Sequence, residues 1–297
     1  MKILLFGKNG QVGWELQRSL APLGEVIALD RHGLEYAGKH IRGDLLDPDA
    51  VADAVMTVKP DVIVNAAAYT AVDKAETDTA NAHTINALAP AFIAQAATKT
   101  GALLVHYSTD YVFDGTPGKA WVETDTPRPL SVYGISKLAG EQGIAVSGAR
   151  HLVFRTSWVY AARGSNFAKT MLRLAQERET LSIVNDQIGA PTGAELLADV
   201  TAHALRTKPP SGIYHLAAAG ETTWYSYAQY VFAAARKLGI ALKLDDSRLL
   251  PISTDGYKTA AQRPLNSVFD CEKLISTFNL RLPHWTFGVN RMLAEAR

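Results

Sequence analysis

Tyr133 and Lys137, four residues apart, are the pair whose type and spacing most directly suggest proton chemistry. On a helix such positions share a face. An ammonium beside a phenol favours the phenolate and lowers a pKa that is ordinarily about 10, so the tyrosine could pass a proton near neutral pH. Pro127 and Pro129 exclude a helix before Leu130, whereas Leu138, Ala139, Glu141 and Ala145 favour one, which predicts a first turn opening near Ser131. The same spacing also describes an ordinary exposed pair on a surface helix. The elements that hold the pair must decide between the two.

Lys2–Phe6 is an apolar run that ends at Gly7, and Gly7, Gly10, Gln11, Val12 and Gly13 lead into helical spacing from Trp14 to Leu20. This predicts strand, glycine turn and helix, with a pyrophosphate held at the helix N-terminus. The spacing is G-x-x-G-x-x-G, a departure from the usual G-x-G-x-x-G. A second strand, Glu25–Leu29, ends in Asp30, placed to accept from the adenosine ribose hydroxyls. Arg31 could pair with a 2′-phosphate or be a solvated loop charge, so both NADH and NADPH are expected as cofactors. Asp44 and Leu45 fall where a third strand would end beneath an adenine ring, and Asp47 and Pro48 open a helix as cap and first residue. Asp61–Asn65 reads as the fourth strand, and Ala66 to Thr70, including Ala68, Tyr69 and Thr70, lets the backbone approach a dinucleotide. A helix over 84–100 and a strand over Leu103–Tyr107 continue the alternation. The fold class is therefore α/β, a doubly wound, parallel Rossmann-type sheet with ligands at the carboxyl ends of its strands.

Composition narrows the function class. The chain has 297 residues, 47% hydrophobic and 20% charged, and a net charge of +1. No bulk field attracts nucleic acid or an anionic membrane, so any anionic ligand must be held locally. One cysteine, Cys271, excludes an internal disulfide, and no apolar run is long enough to span a membrane, so a cytoplasmic location is expected. Beyond residue 150 a sixth strand, His151–Thr156, is followed by weaker alternation. The expected division is a dinucleotide-binding domain over 1–161 and a smaller, interleaved substrate lobe over 162–297, with a strand near 211–217 returning to the main sheet and a loop at 208–212.

The fifth strand runs into Ser108-Thr109-Asp110-Tyr111, whose Thr109 hydroxyl can reach the ligand that Tyr133 faces. With Phe6–Gly13, Val64–Glu76, Tyr107–Phe113, Arg155–Tyr160 and Asn185–Thr192, these residues resemble the extended short-chain dehydrogenase/reductase family over essentially the whole chain, and within it the sugar-nucleotide reductases. The resemblance implies an NAD(P)H-dependent oxidoreductase that reduces the C4 keto group of dTDP-4-dehydro-L-rhamnose, the last step towards dTDP-L-rhamnose. It also implies Tyr133 as proton donor, Lys137 as its tuner and ribose ligand, and Thr109 where many relatives carry serine.

For the substrate, the resemblance implies Thr109, Asp110, Tyr111 and Trp158 around the sugar or base, Asn166 and Phe167 on the sugar nucleotide, and Arg263 with Asn266 at its diphosphate. Asp73, Lys74 and Glu76 read as a charged helix face. Some relatives carry magnesium at a dimer contact, at positions matching Glu15 and Glu195, so Mg²⁺ and a homodimer are among the expectations. Two other readings share the fold. One is a sugar-nucleotide dehydratase or epimerase, of which the dehydratases resembling this chain carry an acid where Tyr111 stands; the other is a non-enzymatic dinucleotide-binding regulator, against which the retention of Thr109, Tyr133 and Lys137 together argues.

Overall fold

A computed structural model describes residues 1–207 and 210–295, so Lys208 and Pro209 of the expected loop lie outside the described residues. Its centre is a six-stranded sheet of β1 (Lys2–Phe6), β2 (Glu25–Leu29), β3 (Val62–Asn65), β4 (Leu103–Thr109), β5 (His151–Thr156) and β6 (Gly212–His215), in the order β6-β5-β4-β3-β1-β2. Every neighbouring pair is parallel. The strands are apolar on both faces because both are covered, as a parallel sheet with helical crossovers requires. Leu4, Phe6, Leu29, Ile63, Leu104 and Val153 pack towards α2 (Pro48–Val58) and α3 (Ala89–Thr100). Ile3, Leu5, Val64, Val105 and Phe154 face α1 (Gln11–Leu20) and, later in the chain, the Ala194–Arg206 helix.

The third strand does not join this sheet. Leu34–Tyr36 and Lys39–Ile41 pair antiparallel with each other as a small hairpin. Each is only three residues long, and the Ala37–Gly38 turn, with both residues at positive φ, sends the chain back on itself. Leu45 then packs into the core beside Leu29 and Ile41, while the Asp44 carboxylate accepts from the Leu46 N–H. The helix expected over 84–100 also differs: helical turns run from Thr79 through a π-turn at Thr84–Leu88 into α3. Asp47 caps α2 as expected, accepting from the Ala50 N–H.

α4 (Val132–Val146) lies against α3 and the π-turn. A separate core of Tyr160, Ala168, Tyr227, Phe232, Trp285 and Val289 forms between helices Phe167–Glu177, Trp224–Lys237 and Trp285–Glu295. No helix among the described residues is long and apolar enough to cross a membrane.

Candidate active site

Three interactions fix the start of α4, and with it Tyr133 and Lys137. Ser131 caps the helix, its hydroxyl accepting from the Gly134 N–H at 3.2 Å. The Glu76 carboxylate accepts from the Val132 N–H at 2.9 Å, satisfying another first-turn donor. Gly134 and Gly140 bring the helix so close to its neighbours that a Cβ on either would stand 2.2 Å from the Tyr111 or Asn86 carbonyl oxygen. Asn86, in the π-turn, accepts from the Tyr69 N–H and donates to the Tyr69 carbonyl and the Ser136 hydroxyl, tying loop, π-turn and α4 together. Asp73 and Glu76 are therefore not a solvated face: Asp73 pairs with Arg263 at 2.7 Å and Glu76 helps to start α4.

A cleft of about 1020 Å³ opens at the carboxyl ends of the strands, where a doubly wound sheet places its ligand. Gly7, Gly10, Gln11 and Val12 line one side, with Ala68 and Thr70 beside them. Gly7 has φ +87°, and a Cβ there would lie 2.7 Å from the Ala67 nitrogen. Gly13 stands behind the loop, where a Cβ would lie 2.0 Å from the Gly7 carbonyl oxygen. The three glycines thus shape a tight turn at the N-terminus of α1. Thr109, Asp110, Tyr111, Tyr133, Lys137 and Trp158 line the other side. Gln11 Oε1, Ser108 Oγ, Thr156 Oγ1 and Ser157 Oγ are buried along this cleft without a protein partner, a donor and acceptor set that suits a dinucleotide.

Among the proton-handling groups, burial pushes Tyr133 up to about 12, with a Thr109 hydrogen bond opposing and Asp110 reinforcing the shift. This is opposite to the lowering expected from the spacing. The reason is burial, which the spacing does not reveal, while Lys137 Nζ donates to the Tyr107 carbonyl at 2.6 Å and lies 3.1 Å from His106 Nε2. Burial brings Lys137 down to about 8, with Glu141 pulling the other way. Burial also raises Asp110 to about 6, against hydrogen bonds from Ser267 and Thr109. The Tyr111 ring meets Tyr133 edge-on at 5.4 Å, and burial raises its phenol too.

A glycine turn under a dinucleotide-sized cleft and a buried Thr–Tyr–Lys set describe a broad class of oxidoreductases. The sequence match is narrower, since residues 1–297 fit the RmlD substrate binding domain family. The chain belongs to that family. A dTDP-4-dehydrorhamnose reductase from Salmonella typhimurium is 58% identical, the alignment covering 99% of this chain and 98% of that protein. The Escherichia coli K12 protein of the same name is 57% identical with the same coverage. A crystal structure of dTDP-4-dehydrorhamnose reductase from Bacillus anthracis in complex with NADP has a TM-score of 0.89 at 36% identity, covering 99% of this chain and all of that one.

In this RmlD-family chain other expected residues lie at the rim or in supporting positions. Asp30 accepts from Asn9 and from the His32 and Gly33 N–H groups. Burial would raise its carboxyl, but Lys8 at 3.3 Å and the His32 N–H outweigh that and hold it low. Arg31 is exposed and bonds to His32. Tyr69 turns its hydroxyl to Asp78. Asn166 caps the Phe167–Glu177 helix and donates to the Ala161 carbonyl, and Phe167 packs on Trp224 in the second core. Arg263 is held by Asp73 near Tyr111. Asn266 is committed to the Thr116 and Lys119 carbonyls and the Val268 N–H.

Magnesium finds no support in the acidic pair. Glu195 faces Arg291 at 3.3 Å and Glu15 faces Arg18 at 3.6 Å, so guanidinium groups supply the countercharge. Among the described residues no group of three or more His, Cys, Asp or Glu could hold a metal ion.

Several cleft residues escaped the sequence reading. Arg163 lines the cleft over the Trp14 ring at 4.0 Å, and a Gln11 hydrogen bond to the Ser165 carbonyl draws its loop to the glycine turn. His106 beneath Lys137 had one visible signal, a polar residue directly after the apolar run Leu103, Leu104 and Val105. Trp158, which was foreseen, holds φ +49° and stacks on Trp224 at 3.5 Å. That backbone conformation costs an aromatic residue on the order of 1 kcal/mol and persists because the stack and the close approach of Gly189 fix the ring.

Proposed function

We propose that the chain is an NAD(P)H-dependent oxidoreductase that reduces the C4 keto group of dTDP-4-dehydro-L-rhamnose to give dTDP-L-rhamnose, in the cytoplasm. Thr109, Tyr133 and Lys137 meeting at the carboxyl end of β4, in a chain 58% identical to a protein of that activity by name, is the observation that carries it. Gly7, Gly10, Gln11, Val12 and the N-terminus of α1 would hold the cofactor pyrophosphate. Asp30 would take the adenosine ribose, flanked by Lys8 and Arg31, whose charges suit a 2′-phosphate. When bound, the reduced nicotinamide supplies the hydride.

Tyr133 protonates the carbonyl oxygen as it becomes an alkoxide. A phenol pushed up to about 12 keeps its proton at neutral pH, yet it remains a far stronger acid than an alcohol, so the transfer runs downhill. Thr109 orients the same oxygen from β4, and Lys137 supports the phenol and the cofactor ribose. Tyr111 and Trp158 border the sugar, and Arg263 reaches the diphosphate from the rim. The elimination carried out by a dehydratase is disfavoured, because the position that would carry its second acid is a buried phenol raised above its usual range.

The test is dinucleotide oxidation with dTDP-4-dehydro-L-rhamnose, followed by isolation of the sugar product. Stoichiometric formation of dTDP-L-rhamnose is expected. Dinucleotide binding with no turnover would leave the regulatory reading in its place.

A further inference from the structure

The glycine turn has few charges with which to meet a pyrophosphate. That group is a dianion, and the N-terminus of α1 offers it N–H groups and a partial charge equivalent to roughly half a unit. Lys8, beside the turn, is engaged by Asp30 at 3.3 Å, and Arg263 by Asp73 at 2.7 Å. Of the residues that line the cleft only Lys137 and Arg163 are cationic, and Lys137 lies buried on the opposite side with its Nζ on the Tyr107 carbonyl. Arg163 is exposed and makes no ion pair among the described residues. Its guanidinium carbon stands 4.0 Å from the centre of the Trp14 ring. Trp14 is the fourth residue of α1, and helical side chains lean back towards the N-terminus, so the ring holds the guanidinium beside the end of the helix that meets the turn. The loop that carries Arg163 is fixed there from both directions. Gln11, the first residue of α1, donates Nε2 to the Ser165 carbonyl at 2.9 Å, and its Oε1 is buried without a protein partner. Asn166 and Lys169 donate to the Ala161 and Ala162 carbonyls at 2.7 and 2.8 Å.

We propose that Arg163 is a cofactor-binding residue, a clamp that reaches across the glycine turn from the substrate lobe and pairs with the dinucleotide pyrophosphate opposite the N-terminus of α1. This rests on the reading of the cleft as a dinucleotide site. A planar guanidinium can meet two phosphate oxygens at once, and an exposed stack on an indole is a weaker hold than a pair of charge-assisted hydrogen bonds. The long side chain can therefore turn from ring to phosphate while Gln11, Asn166 and Lys169 keep its backbone in place. The loop leads directly into the Phe167–Glu177 helix of the second core, so the same contact makes a bound dinucleotide join the two lobes.

The experiment is calorimetric titration of the full wild-type chain, Arg163→Ala and Arg163→Lys with NADH, NADPH and dTDP. A contact with the cofactor pyrophosphate should weaken NADH and NADPH alike, by about tenfold in Arg163→Ala, and leave dTDP binding unchanged. Arg163→Lys keeps the charge without the fork and should recover part of the loss. The affinity of Arg163→Ala for NADH should also depend less on salt than that of the wild-type chain. A loss confined to NADPH would put Arg163 on the 2′-phosphate, and a loss confined to dTDP would put it on the diphosphate of the nucleotide sugar. Equal loss of all three ligands would mean a disturbed cleft, and no loss would leave a surface arginine stacked on Trp14. Each of these four results overturns the proposal. A wild-type chain that binds neither dinucleotide would sink the dinucleotide reading with it, whereas wild-type binding that Arg163→Ala retains in full sinks the clamp alone.

Discussion

The two ends of the cleft treat charge differently. At the α4 end Lys137 is 1% exposed, and burial pushes Tyr133 and Asp110 up and Lys137 down from their ordinary ranges. At the Asp30 end the side chain is 19% exposed and held by loop N–H groups and Lys8, and Arg31 lies open to solvent. Burial strengthens electrostatic interactions and makes an unpaired charge costly, whereas water screens both effects at the rim. Substitutions at the α4 end should therefore change rate or stability by several kcal/mol, and those at the rim by about one.

The largest effect expected is that of Lys137→Ala, which on the proposed mechanism removes a tuner of the proton donor and a ribose contact together. Turnover should fall by at least about 10²- to 10⁴-fold, and direct titration should show weaker dinucleotide binding. Loss of binding with turnover kept at saturation would reduce Lys137 to a ribose ligand.

Glu141→Gln tests whether the buried end relies on paired charge. Arg155 and Glu141 are each 2% exposed at the side chain, and removing one partner strands the other, at a cost of about 3 to 5 kcal/mol. Urea unfolding should show that loss, and a change below about 1 kcal/mol would place water around the pair.

A smaller effect should come from His215, buried and held down to about 3 by burial, with Arg155 adding to the shift. A histidine lowered from 6.5 leaves stability untouched above that pH. Below it the unfolded chain takes up a proton that the fold refuses, so stability is lost as pH falls from 6.5 towards 3. By pH 5 this amounts to about 2 kcal/mol, and His215→Gln should flatten that part of the curve in urea midpoints taken at pH 7.5 and 5. An equally steep variant would assign the acid sensitivity elsewhere.

The smallest effect belongs to the rim. NADH and NADPH should support catalytic efficiencies within about tenfold, or about 1.4 kcal/mol, and Arg31→Ala should weaken use of NADPH more than NADH. A thousandfold preference would mean that the rim discriminates as strongly as a buried site.

What was legible in the sequence follows the same division. All six strands of the sheet, the returning strand at Gly212–His215 among them, and the Ser131 start of α4 were readable because apolar runs, glycines and prolines act locally. The third strand was misplaced because register and turn geometry, not composition, turn 34–41 into a separate hairpin. The direction of the Tyr133 shift was misread because i, i+4 spacing says which face a lysine shares and nothing about how deeply the phenol is buried or about the Tyr107 carbonyl that captures the lysine Nζ. Glu76 and Asp73 looked like surface charges, since their partners Val132 and Arg263 lie far along the chain.

The central claim is that Tyr133 delivers the proton. Tyr133→Phe removes one oxygen and almost no volume, so the fold and cofactor affinity should persist. The deciding measurement is its turnover with dTDP-4-dehydro-L-rhamnose beside a direct NADPH titration. A loss of about 10²- to 10⁴-fold, or about 3 to 5 kcal/mol of transition-state stabilisation, with binding nearly unchanged is expected. Retention of more than about a tenth of wild-type turnover would require the proton to come from another group and would contradict the mechanism.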